Sequence, residues 1–145
     1  MAASQLATAA LAVAAAATTL AALAHFACIA IGPRAYRVMG AGARAVRAVE
    51  RGESGPHVAA FVVGVVLLVV AAYAFSGAGF FPPLPLLRWV LMVVSLVLIA
   101  RALLFPLMRP YFPGNSARFW VVSSFACLVL GSLYFVGVLP LWSAS

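Results

Sequence analysis

Few side chains in this sequence can do chemistry, and they are far apart. His25 and Cys28 stand one helical turn apart in a stretch that is otherwise apolar, and Cys127 stands in another. An imidazole and two thiols are metal ligands, or a base and a nucleophile. Counted at about 1.5 Å per residue from the ends of their apolar stretches, His25 and Cys127 fall at similar depth. Arg101 is the one charge inside an apolar stretch, so His25, Cys28, Arg101 and Cys127 form a candidate inner polar cluster. The remaining ligands, His57, Glu50 and Glu53, are distant in sequence, and neither a metal nor a haem is expected. There is no Asp, and no carboxylate lies within an apolar stretch, so proton or cation coupling of the usual acidic type has no carrier. No Ser/His/Asp set, glycine-rich phosphate loop or acid pair is present. No catalytic residue and no cofactor are expected. A plainer role fits the cysteines. Ala24, Cys28 and Gly32, and again Ser123, Cys127 and Gly131, recur every four residues, a spacing of small residues that lets helices approach closely in lipid.

The second chemical feature is positive charge. All nine basic residues besides histidine are Arg, and five of them, Arg34, Arg37, Arg44, Arg47 and Arg51, lie within residues 33–57. At about 100° per residue they share one face of a helix, with Val38, Met39, Gly42, Val46 and Val49 opposite. Pro33 suits a helix start and Gly52 a stop. The segment is expected to be a basic amphipathic helix in a membrane interface, its arginines contacting anionic headgroups or a protein partner. Gly40 and Gly42 weaken it. Nucleic acid is not an expected partner, because the charge sits between membrane segments and lacks a binding fold.

The elements that must hold these residues follow from composition. The 145 residues are 67% hydrophobic and 8% charged, with a mean hydropathy of +1.19. This is the composition of a membrane protein. Four apolar runs, about 7–31, 58–75, 87–108 and 119–139, are expected to be transmembrane helices, since lipid admits only helices and closed barrels. Pro106 should kink or end the third. The fold class is therefore an all-α membrane protein, one domain, an up-down bundle of four crossings. Arginines in the 33–57 loop and at 109 and 118, against Arg88 alone on the other side, place both termini outside. Residues 1–10 contain no Lys or Arg, so the first run is expected to be an uncleaved helix rather than a signal peptide. Heavy Ala and Arg usage suggests a GC-rich bacterial genome, and the expected location is a bacterial inner membrane. With no acid at its depth, Arg101 is expected to run along its helix to the cytoplasmic phosphates, a task for which a lysine would serve equally.

The turn at 32–42 (GPRAYRVMGAG), the PLLR run at 85–88 and the FWVVSS run at 119–124 give the whole chain a resemblance to small bacterial four-helix inner-membrane proteins without an assigned function. That resemblance implies the fold and no chemistry. The layout is also similar to the MAPEG family of glutathione-linked membrane enzymes. Four crossings and a first cytoplasmic loop with Arg47-Ala48, Glu53 and Pro56 before the second helix carry the likeness. Arg51 stands near the place of the family's Asn, and the Glu-to-Pro spacing differs. That resemblance implies an enzyme acting on glutathione or a lipid at this loop. The reading favoured by the residues themselves is a non-enzymatic accessory, scaffold or lipid-contacting bundle, forming a homo-oligomer or joining a membrane-protein partner through its small-residue faces. A transporter subunit is disfavoured by the missing intramembrane acids.

Overall fold

A computed structural model describes residues 2–111 and 113–143 of the chain, and all regular structure among them is helical. The first helix, α1 (Ala2–Ile31), is alanine-rich and meets no helix breaker until Gly32, which takes a φ of 80°, followed by Pro33. Two short helices follow, α2 (Pro33–Val38) and α3 (Ala43–Glu50). Next come α4 (Gly55–Gly77), α5 (Leu87–Leu103), α6 (Phe105–Met108) with a single 3-10 turn at Arg109–Tyr111, and α7 (Ala117–Ser143).

Three of the helices are each long and apolar enough to cross a membrane, over Ser4–Ile31, Gly55–Gly77 and Ala117–Trp142. The count reaches four only if α5 and its continuation are one broken span. The axis turns by 69° between Leu87–Leu103 and Phe105–Tyr111. The expected third crossing to residue 108 therefore stops at Leu103. Pro106 is the cause, since its ring collides with the carbonyl four residues back and it has no N–H to give. The other expected ends shift as well. Pro56 fits the first turn of α4, where no N–H is needed, so that helix begins before Val58. In contrast α7 runs through Pro140 to Ser143 rather than stopping at 139, and residues 144–145 lie outside the described residues.

The larger correction concerns the basic segment. It is two helices, not one. Gly40 and Gly42 adopt φ values of 70° and 85°, which only glycine takes without strain, and the chain reverses there.

Packing follows an antiparallel pattern. Helix α1 lies along α4, with Phe26 against Gly64 near one end and Leu11 against Gly77 near the other. It also lies along α7, where Leu11 fills the space above Gly137. Helix α5 lies along α7, with Ile99 pressed onto Gly131. Leu11, Ala14, Ala15, Ala74, Leu91, Tyr134 and Val138 make the main buried cluster. Inside it the Thr18 and Tyr134 hydroxyls share a hydrogen bond of 2.8 Å, and Ser95 Oγ donates to the Gly131 carbonyl at 2.8 Å. Close approach by small residues is thus real, but the residues doing it are mostly not those the four-residue spacing marked. Gly131 and Cys28 are buried, Gly32 faces open space, and Cys127 is only half-buried. Gly64, Gly77 and Gly137, outside the two marked stripes, carry the rest of the contacts. The outward surface is apolar. Val58, Phe61, Val62 and Val66 of α4, and Val121, Val122 and Phe125 of α7, are all more than half exposed. An apolar face of this extent belongs in lipid or against another protein.

Candidate functional site at the arginine end

The segments 32–54, 104–111 and 113–116 fold together at one end of the helices. The Ala43 N–H donates to the Pro113 carbonyl at 3.1 Å, and Asn115 Nδ2 donates to the Gly40 carbonyl at 2.9 Å. The Phe119 ring covers Gly40 so closely that any β-carbon there would sit within the ring. Glycine at 40 is therefore required twice, by its backbone angle and by its contact. The result is a cap carrying seven of the nine arginines, Arg34, Arg37, Arg44, Arg47, Arg51, Arg109 and Arg118.

Helix α3 is amphipathic in the expected sense. Val46 and Ala48 are buried, while Arg44 and Arg47 are exposed. Both acidic side chains are engaged here: Glu50 pairs with Arg37, and Glu53 accepts from Arg51 Nε at 2.7 Å. These pairs are solvent-exposed and add little stability, but they leave Arg34, Arg44 and Arg47 with no acid to face. Two open grooves flank α3. One of about 390 Å³ is lined by Arg37, Val46, Arg47, Glu50, Gly114 and Asn115. The other, about 450 Å³, includes Arg44, Arg51, Glu53, Pro56 and Tyr111.

Beneath α3, Tyr36 is buried against Cys28, Val46 and Ala60. Its hydroxyl lies 3.2 Å from the Pro56 carbonyl and 3.0 Å from His57 Nδ1. Both contacts are satisfied when Nδ1–H donates to the phenol and the phenol donates to the carbonyl. Burial pushes the phenol pKa above its ordinary value, with a smaller contribution from Cys28. From sequence, Tyr36 reads only as an interfacial aromatic. Its role in tying α2 to the start of α4 depends on the chain reversal at Gly40–Gly42, which sequence spacing does not reveal.

The four residues read as an inner polar cluster do not meet as one group. The His25 ring donates from Nδ1 to the Ala21 carbonyl of its own helix at 2.8 Å. Cys28 belongs to the Tyr36 cluster. Arg101 faces α7: its guanidinium carbon lies 5.2 Å from the Trp120 ring centre, and Nη2 donates to Ser123 Oγ at 3.1 Å. Cys127 stands one turn beyond Ser123 and within electrostatic reach of Arg101. Arg101 therefore does not extend freely to the interface as expected. A π face and a hydroxyl on the neighbouring helix are close enough to hold it inside the bundle, and a planar guanidinium can lie over the ring while its edge donates to the hydroxyl, a combination that a lysine matches less well. That Trp120 and Ser123 are the residues Arg101 meets is not legible in the sequence, because depth along a helix leaves its rotation against a neighbour open.

A small cavity of about 150 Å³ adjoins this arginine, walled also by Met39, Gly40, Met108, Phe119, Trp120 and Ser123. Among the described residues no three His, Cys, Asp or Glu side chains converge. The chemistry on offer at this end is donation of hydrogen bonds from fixed cations, which suits oxyanions. No family model matches the chain, and no curated protein or solved structure shows significant similarity to it.

Proposed function

We propose that this is a multi-pass protein of a bacterial inner membrane, an up-down bundle of four crossings with both termini outside. Its cap holds anionic lipid headgroups, and it acts as a non-enzymatic accessory or scaffold. The observation that carries this reading is the surplus of cation over anion on one exposed helix face. Arg44 and Arg47 project from α3 while its apolar side is buried, and the two carboxylates of the chain are already taken by Arg37 and Arg51. Cations so placed next to apolar helices attract phosphate-bearing headgroups, each contributing about 1 kcal/mol near the surface. The apolar outer faces of α4 and α7 support the membrane placement.

The test is lipid retention. In nanodiscs of mixed composition, the Arg44→Gln, Arg47→Gln, Arg51→Gln triple variant is expected to release phosphatidylglycerol-type lipid that the parent retains, as counted by native mass spectrometry. Unchanged retention would sink the headgroup reading. Sidedness is tested apart from this, with a reporter active only in the periplasm joined after residue 145. An inserted but silent fusion reverses the orientation.

A further inference from the structure

We infer that Arg101 belongs to a built site for a single phosphate-type oxyanion, where α5, α7 and the cap meet. This goes beyond the cap reading, since the cap arginines Arg44 and Arg47 are exposed, whereas Arg101 is half-buried between α5 and α7 with its Nη1 shut off from solvent.

The argument starts from charge. A guanidinium stays protonated at any pH a protein meets, so Arg101 cannot escape by neutralising itself. A cation among apolar helices pairs with an anion or costs stability. The chain has two acidic residues and both are committed elsewhere, Glu50 to Arg37 and Glu53 to Arg51. Ser123 and the Trp120 face supply partial charge only. The donors lead to the same place. Nη2 has its acceptor in Ser123, but Nη1 is buried and has none. Buried N–H groups are rarely left so, and those of a cation least of all.

The cavity supplies the missing room. Its volume of about 150 Å³ has ample room for a tetrahedral oxyanion beside the guanidinium. Met39, Met108 and Phe119 give it apolar walls, which strengthen any charge pairing inside. The cap forms one side of it, where Phe119 packs on Gly40 and Asn115 donates to the Gly40 carbonyl. Because Nη1 is itself closed off, the anion meets it when the guanidinium edge rotates into the cavity, a motion the long arginine stem allows. Two sources offer this chemistry, the phosphodiester of a lipid headgroup and free phosphate.

Trp120 lies under the guanidinium and reports on it. With Trp89 and Trp142 replaced by Phe, far from this site, Trp120 is the only tryptophan. In a neutral, lipid-free detergent, that protein is titrated separately with inorganic phosphate and with short-chain phosphatidylglycerol. A saturable change in Trp120 fluorescence is expected. Saturation by both assigns a free-anion site, and saturation by the lipid alone assigns a headgroup site; either supports the proposal. Arg101→Gln should weaken the response at least tenfold, and Arg44→Gln with Arg47→Gln should leave it unchanged. If Arg101→Gln does not fold, Arg101→Lys keeps the charge without the fork and should weaken binding severalfold. No saturable response to either probe would overturn the site, as would equal binding by a folded Arg101 variant. Loss of the response in the Arg44/Arg47 variant would overturn it too, by assigning the signal to the cap. Lipid retention in the triple variant reads the cap alone, so the two proposals fail separately.

Discussion

Helix α5 carries an arginine near each end, and each stands over a tryptophan of α7. The Arg88 guanidinium lies 4.8 Å from the Trp142 ring centre, and Arg101 lies 5.2 Å from that of Trp120. The pairs look equivalent and their surroundings are not. Arg88 sits in the first turn of α5, beside an open groove of about 400 Å³ lined by Pro83, Leu86, Trp89 and Leu141. There the helix dipole opposes a cation, and the stack on Trp142, itself met edge-on by Trp89 at 4.6 Å, offsets that weakly. Arg101 sits in the last turn, where the dipole favours a cation. It has Ser123 as well as Trp120, and its tryptophan is 2% exposed. One pairing of residue types thus serves as a surface stack at one end and as a buried junction at the other. Enclosure, not residue identity, decides which.

The comparison can be broken by mutation, most strongly at the tryptophans. Trp120→Ala should cost roughly 3 kcal/mol, towards the lower end for a buried tryptophan because in lipid the loss is mainly of packing. Trp142→Ala, at the more open end, should cost about 1 kcal/mol. Unfolding in mixed micelles measures both, and equal losses would erase the distinction between the two ends. Next in size is the conservative exchange. Arg101→Lys should lose about 1–2 kcal/mol through the missing fork and stack, and Arg88→Lys less than about 0.5 kcal/mol. Ser123→Ala then asks whether the hydroxyl matters. A hydrogen bond to a charged group contributes about 1.5–3 kcal/mol when its loss leaves a bare donor, and the cavity lets water reach that donor, so about 1 kcal/mol is expected. A neutral result would leave the tryptophan face as the whole of the anchor.

How much of this was legible in advance differs between the ends of the chemistry. The buried face of α3 was readable, because Val46 follows from helical period once a helix is granted. The division at Gly40–Gly42 was readable only as weakness. Glycine lowers helix stability in any context, but whether it bends the chain depends on what packs against it. Here that is Phe119, from a residue nearly eighty positions away. The polar cluster failed for the same reason. Equal depth does not make neighbours: α1 and α5 each pack on α7, yet Arg101 reaches Ser123 of α7 while His25 donates to the Ala21 carbonyl of its own helix.

A further modest effect tests the tie beneath α3. Tyr36→Phe should cost about 1 kcal/mol, the net worth of one hydrogen bond. Its dependence on pH has a definite sign. Burial raises the Tyr36 pKa in the folded protein above the ordinary tyrosine value of about 10. The folded state thus holds the phenolic proton more tightly than the unfolded state. The stability linked to that proton is complete below about pH 10 and is lost as pH rises towards the folded value. The gap between the parent and Tyr36→Phe should therefore be constant from pH 7 to 9 and close above 10, as followed by unfolding in micelles. A gap that closes below pH 9 would overturn the assignment to the phenol.

By itself the sequence determined what kind of matter this protein is: helical, because apolar runs this long in lipid have no other way to satisfy their backbone, and asymmetric in charge, because all but two of its arginines fall within residues 34–51 and 109–118. Composition and order along the chain suffice for such properties, since each depends on a residue and its near neighbours. Tertiary structure alone decided the rest. It bent the third apolar run at residue 104, joined two distant loops through Gly40, Asn115 and Phe119, and turned Arg101 onto Trp120 and Ser123. Those outcomes depend on which helix faces which, and at what rotation. Close packing sets both, through contacts between residues that the sequence keeps far apart.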